Sequence, residues 1–362
     1  MSTINWTVTV GATSFTSITQ SLSFSFGRGS YFDTPTGGTC TFTVRNNTGQ
    51  AASINQGDVI TIGNQLTLST STFYVVEVTF QDEIASGANT ATITGVDAIG
   101  QISQFPISGA TVLTNALQQI AFIMNELAPF NPPYPDPSPV AGRAFVEDTF
   151  NATTIGQRII ELLLTENGRY YYDGNTIVFV PSSAPNATSF TFGTAASTGL
   201  VYDSLTRKYP NTNYPNEVNL TSTGVGTTTT AVTGLYRRNY NRQVLFNTAA
   251  QQQAQTDYYA NVLSVEALYA ELRFSDKPQT DGQLEHYLEA VNSAGYGSTT
   301  HVTYTPPGGS PTTDTFVVEG GTCTAVPGRT DFTLYLSPTV IYDLFTLNSS
   351  TFGILNTNRL GW

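Results

Sequence analysis

Few residues in this chain have types suited to chemistry, and their spacing limits what they could do. Gly27-Arg28-Gly29 lies in SLSFSFGRGSYFDTPTGGTCTFTVRN, Ser21 to Asn46, and could be a phosphate-gripping loop. That chemistry needs a third glycine and a following helix whose amides face the phosphate, and neither is present. No GxxxxGK[ST] and no G-x-S-x-G occurs. His286 and Glu289 could share a helix turn as metal ligands, but His301 is the only other histidine and no H-E-x-x-H exists. A surface pair is the plainer reading. Asp82, Glu83, Glu161 and Glu166 could supply two carboxylates for glycoside hydrolysis, yet spacing along a chain cannot set their separation. Solvated surface is the plainer reading for each. The expectation is no catalytic residue, no cofactor-binding residue, no metal ligand and no enzyme.

Two cysteines occur, Cys40 and Cys323, each inside a GGTCT pentapeptide at 37–41 and 320–324. They could be half-buried thiols in strands or a disulfide joining the two ends; two in so long a chain make no disulfide framework.

The elements that must position these residues are mostly strands. The 362 residues are 40% hydrophobic, and charged residues are only 11%, under half the usual share of about 25%. A chain of this length suggests two or three domains. Thr, Ser, Asn and Gln must coat the surface, and such a coat can be buried against a partner without desolvating ions. A net charge of −12 with 14 Lys+Arg argues against nucleic-acid binding, which needs clustered cations, and against a membrane surface. MSTINWTVTV has no basic-then-apolar pattern, so no signal peptide and no membrane span are expected.

Trp6–Val10, Leu22–Phe26, Cys40–Val44, Asp58–Ile62, Phe73–Phe80 and Thr90–Val96 alternate apolar with polar, which predicts a small antiparallel barrel or sandwich. Leu113, Leu117, Ile120, Met124 and Leu127 predict a helix packed on a core. PFNPPYPDPSP, Pro129 to Pro139, predicts an extended, semi-rigid connector. Thr154 and Gln157 have capping-box spacing ahead of an apolar face of Ile155, Ile159, Leu162 and Leu163. Asp173-Gly174-Asn175 between Tyr170–Tyr172 and Thr176–Val180 predicts a hairpin. Beyond Phe190 strands return at 218–221, 232–235, 244–246, 267–274, 300–304, 315–318 and 332–336. GVGTTTT, Gly224 to Thr230, is expected to be a mobile loop. Ala249–Leu263 reads as a helix, and the aromatic tail ending in Leu360 and Trp362 should be docked.

These pieces come in a familiar order. ITQSLSFSFGRGSYFDTPTGGTCTFTVRNNTGQ, then GDVITIG, FYVVEVTF and ATITGVDAIGQI, resembles the N-terminal strands of phage tail-hub (minor tail) proteins. FVVEGGTCTAVPGRTDFTLYLSP followed by FGILNTNRLGW resembles their closing strands, and TTIGQRIIELLLTENGRYYYDGNTIVFVP their inserted helix and hairpin. Residues 206–300 match nothing sharply.

The resemblance implies a mainly β fold with α+β insertions and two related antiparallel β-barrels. The divisions expected are a first barrel at 1–108, an α+β insertion at 109–200, a second barrel with a helical insertion at 201–345, and a docking tail at 346–362. It further implies a homotrimer at the virion tail tip, assembled in the host cytoplasm. Such a hub would join a six-fold tail tube or distal tail protein to three-fold tip, fibre or tape-measure proteins. Genome DNA would pass through its channel without specific binding. Alternatives are a hexameric distal tail ring, a tail-associated cell-wall hydrolase and a carbohydrate-binding adhesin. Within the opening stretch, Phe24, Phe26, Cys40, Phe42 and Val44 should share an inward face. Arg28 is either a turn residue bonding nearby carbonyls or a contact to a neighbouring subunit.

Overall fold

The computed structural model of the chain describes residues 4–29, 33, 36–67, 70–83, 88–111, 119, 123, 148–166, 168–172, 177–180, 189–194, 200–208, 217–232, 239–264, 269–277, 280–290 and 296–339. The proline-rich connector, the 173–175 turn and the C-terminal tail lie outside the described residues. Of the expected helix near 113–127 only Gln119 and Ile123 are described, both helical and buried.

The first strand set is β1 (Trp6–Val10), β2 (Thr13–Ser14), β3 (Thr19–Gly27), β4 (Thr39–Arg45), β5 (Val59–Asn64), β6 (Ser71–Glu83) and β7 (Ala88–Val96). A short helix, Ala98–Ile102, follows, and then the pair β8 (Pro106–Thr111) and β9 (Asp148–Thr154). Next come the helix Ile155–Glu166 and the hairpin β10 (Arg169–Tyr172) and β11 (Ile177–Val180). The remaining strands are β12 (Ser189–Gly193), β13 (Leu200–Val201), β14 (Ser204–Lys208), β15 (Glu217–Ser222), β16 (Gly226–Ala231), β17 (Asn239–Gln243), β18 (Tyr269–Ser275), β19 (Thr299–Tyr304), β20 (Thr312–Val326) and β21 (Arg329–Pro338).

Alternation in sequence becomes alternation in burial. Cys40, Phe42 and Val44 on β4 are buried while Thr39, Thr41 and Arg45 are exposed, because successive side chains point to opposite faces. The inward face expected for Phe24, Cys40, Phe42 and Val44 is present, with Phe26 half-buried against it. The sheet curls on itself: Trp6 on β1 meets Phe24 on β3 edge-on at 5.4 Å, although the two strands are far apart in pairing order.

The two halves are built on one plan. The first pairs β5-β6-β7-β4-β3 and the second β19-β20-β21-β18-β14. In each, the long strand carries a one-residue bulge, Val76 in β6 and Glu319 in β20. A bulge shifts the pairing of everything after it, so its recurrence fixes the correspondence residue by residue. Val75 then matches Val318, Phe42 matches Leu272, and Leu22 matches Leu205. One difference is clear: β1 runs antiparallel to β5, whereas β12 runs parallel to β19.

The halves are also continuous. β20 pairs β19 through 312–317 and β3 through 320–325, so one strand belongs to both sheets. A single buried cluster spans Val8, Phe42 and Ile93 of one half and Phe192, Leu272 and Phe332 of the other.

GVGTTTT is not a loop. Gly226 turns the chain at φ +87 and the threonines form β16, antiparallel to β15. β-branched threonine favours an extended chain, and these find cross-strand partners such as Thr221 Oγ1 to Thr227 Oγ1 at 2.9 Å. The helix Ala249–Ser264 docks on this three-stranded sheet through polar contacts. Gln252 Nε2 donates to the Leu220 carbonyl at 2.6 Å and the Gly226 carbonyl at 2.8 Å, and Ser222 Oγ donates to Gln252 Oε1 at 2.6 Å.

Candidate functional site: the seam between the two strand sets

β3 lies between the two GGTCT pentapeptides. Phe24 is opposite Cys40 on β4 and opposite Cys323 on β20, so the three side chains form one row. Both cysteines are free and 1% exposed, more deeply buried than sequence suggested. They sit two strand spacings apart, roughly 9.5 Å, beyond the ~7 Å Cα limit of a disulfide. Burial pushes the Cys40 thiol up to about 12 and raises that of Cys323 well above its ordinary value, so neither is a nucleophile at neutral pH.

Each glycine pair allows a close approach that a side chain would block. At the first, a Cβ on Gly37 would fall 2.4 Å from the Gly100 amide nitrogen. That space lets Asp97 act twice: its Oδ2 accepts from the Gly38 N–H at 2.6 Å and its Oδ1 from the Gly100 N–H at 2.8 Å, capping the helix Ala98–Ile102. Burial pushes Asp97 up to about 6 despite these backbone hydrogen bonds.

At the second pair, a Cβ on Gly320 would fall 2.5 Å from the Phe26 carbonyl, and one on Gly27 would fall 2.3 Å from the Glu319 carbonyl. Gly27 also has φ +68, which a side chain disfavours. The Arg28 N–H donates to the Glu319 carbonyl at 2.8 Å, and Arg28 Nε donates to Glu319 Oε2 at 2.8 Å. The two side chains are 5% and 0% exposed. Arg28 thus joins the two halves of its own chain through Glu319. Separation along the sequence hid this, because the partner is 291 residues away.

The helix–hairpin unit closes on the same place. Gly297, at φ +83, leaves room for Arg169, whose Cζ would be 2.5 Å from a Cβ there. Tyr171 meets the buried Tyr296 edge-on at 6.3 Å. With its charged groups almost wholly buried, the seam joins the two strand sets.

The other candidate residues do not assemble. His286 is exposed on the helix Asp281–Ala290, while His301 on β19 shares a hydrogen bond with Thr315 at 3.1 Å. Asp82 is at the exposed end of β6, and Glu161 pairs with Arg158 at 3.2 Å on the helix Ile155–Glu166. No group of three or more His, Cys, Asp or Glu among the described residues could hold a metal. A cleft of about 360 Å³ beside Gln56, Tyr74, Val96, Gln104 and Phe105 contains no acid–base pair. No helix among the described residues is long and apolar enough to cross a membrane.

No family model and no curated protein matches the sequence. Solved structures do match its fold. A tail protein from Neisseria meningitidis MC58 superimposes with a TM-score of 0.63 at 13% identity, covering 94% of this chain and 98% of that one. The 43 kDa tail protein of prophage MuSo2 from Shewanella oneidensis gives 0.64 at 11% identity, over 94% and 98%. An E. coli type VI secretion component, described as structurally similar to the T4 tail proteins gp27 and gp5, gives 0.56 at 9% identity, over 91% and 74%. The chain therefore has the mainly antiparallel β fold of phage tail proteins.

Proposed function

We propose that the chain is a non-enzymatic structural component of a phage tail tip: a homotrimeric hub between a six-fold tail tube and three-fold distal proteins. The observation that carries this reading is the repeated pairing plan, two strand sets with the same bulge within one chain that shares its fold with tail proteins over nine-tenths of its length. Three copies supply six similar units, which lets a closed three-fold ring match a six-fold neighbour. The buried Arg28–Glu319 pair fixes the relation of the two units, as a load-transmitting ring requires.

The surface chemistry suits this role. A net charge of −12 on a coat rich in Thr, Ser, Asn and Gln leaves a channel little to hold phosphates with, so DNA passes through without specific binding. The neighbours are the tail tube or a distal tail protein on one side and tip, fibre or tape-measure proteins on the other.

Negative-stain electron microscopy of the purified chain tests the proposal. Three-fold ring averages with an open centre are expected, together with no mobility shift of duplex DNA at about 0.1 M salt. Six-fold rings favour a distal tail ring instead, and single particles without a hole overturn the hub.

A further inference from the structure

The seam between β3 and β20 has a counterpart that no strand among the described residues fills. By the shared pairing plan, β20 corresponds to β6 and β3 corresponds to β14. On β20, the edge beyond the bulge (320–325) is covered by β3. On β6, the matching segment beyond its bulge, Glu77 to Glu83, pairs β7 on one edge only among the described residues. β14 likewise pairs only β18 among them. Open strand edges template further pairing and are normally blunted or covered. Here Phe80, which matches the 1% exposed Cys323, is 49% exposed.

We propose that the β6 edge of one copy pairs antiparallel with the β14 edge of a second copy, repeating between chains the seam that β20 and β3 make within one. This rests on the trimeric reading above. Each chain offers one edge of each kind, so three copies close a ring in which within-chain and between-chain seams alternate.

The register carries over residue by residue. Within the chain, Cys323 faces Phe24, Thr324 faces Ser23 and Ala325 faces Leu22. Between chains, Phe80 therefore faces Arg207, Gln81 faces Thr206 and Asp82 faces Leu205. Charge fits this register, with Lys208 also bonded to Glu271 on β18 at 3.3 Å. Asp82 falls diagonal to Arg207 on one face and Glu77 diagonal to Lys208 on the other, so each cation of β14 meets a carboxylate of β6. Arg207 Nη1 donates to the Tyr304 hydroxyl at 2.7 Å with its Cζ 4.1 Å from the ring centre, which orients it without using all its donors. Neither edge has this complementarity to another copy of itself, since β6 presents acids and β14 presents bases. The occupant of each edge is thus the other edge of a second copy.

Paired cysteines test the register. Gln81→Cys with Thr206→Cys places two thiols opposite each other on the solvent face. Mild oxidation is expected to give disulfide-linked chains up to three on a non-reducing gel, collapsing to one on reduction. Gln81→Cys with Ser204→Cys, two residues out of register, should give far less. Thr324→Cys with Ser23→Cys is the internal control and should close within one chain, with no gain in mass. Native mass spectrometry of the unaltered chain separates the two ways of failing. A trimer whose 81/206 pair does not cross-link, while the control closes, overturns the seam and leaves the hub standing. A monomeric mass overturns both.

Discussion

Two buried carboxylates flank β3, and they are held in different ways. Asp97 is bound by backbone amides, those of Gly38 and Gly100, and lies at the end of the strand next to β4. Glu319 is bound by a guanidinium, that of Arg28, and lies in the bulge of β20 itself. The first arrangement staples a strand to its own half; the second staples one half to the other. The same GGTCT pentapeptide serves both, because what it supplies is space. A strand end without side chains lets a carboxylate or a neighbouring backbone approach closely, and what fills the space is left to the surroundings. Amides suffice within one sheet, whereas the joint between sheets uses a full charge pair that is costly to separate.

The largest break in this symmetry should come from Glu319→Ala. It removes a fully buried carboxylate bonded to a buried guanidinium and should lower stability by about 3–5 kcal/mol. The double change Arg28→Met with Glu319→Leu removes both charges and should recover most of that loss in denaturant unfolding. If the double variant is as unstable as the single one, the pair acts through something other than its charges.

Asp97 should show its difference through pH. Its carboxyl rises from 3.8 to about 6 on folding, so the folded chain holds this proton more tightly than the unfolded chain does. The Asp97 contribution is therefore greatest below about pH 4 and is lost as pH rises through about 6, by about 3 kcal/mol at most. Urea unfolding of the chain and of Asp97→Asn at pH 4.5 and 7.5 checks this. The difference between them should change with pH in that direction, and an unchanging difference shows that backbone amides hold the carboxylate fully charged.

The smallest of the three effects belongs to Gly27→Ala. A left-handed backbone and a Cβ 2.3 Å from the Glu319 carbonyl should together cost about 2 kcal/mol. Gly328→Ala, also at positive φ (+84) but with nothing within 4 Å, sharpens the comparison. It isolates the backbone term and should cost less. Equal losses from the two would show that the seam has room to spare.

Much of the molecule was legible in residue patterns because the physics behind them is local. The alternation in β4, the helix opened by Thr154, whose Oγ1 accepts the Gln157 N–H at 3.2 Å, and the pairing of β10 with β11 each depend on neighbours within a few residues. GVGTTTT misled for a related reason: small polar residues suit a loop, and only partners on β15 and the helix Ala249–Ser264 make those threonines a strand. The two GGTCT copies were visible, but not that they sit in one register on either side of β3.

The sequence by itself determined the strand-rich class, the uncharged coat and the scarcity of catalytic groups, since these follow from composition and short-range spacing. Tertiary structure alone decided that Arg28 meets Glu319, that Phe24 lies between two thiols, and that β6 and β20 share a bulge. A direct reading would align the VVE of FYVVEVTF with that of FVVEGGTC, yet the pairing places Val76, not Glu77, where Glu319 sits. Pairing register is set by hydrogen bonds between strands distant in sequence, and one extra residue in a bulge moves every later side chain to the opposite face.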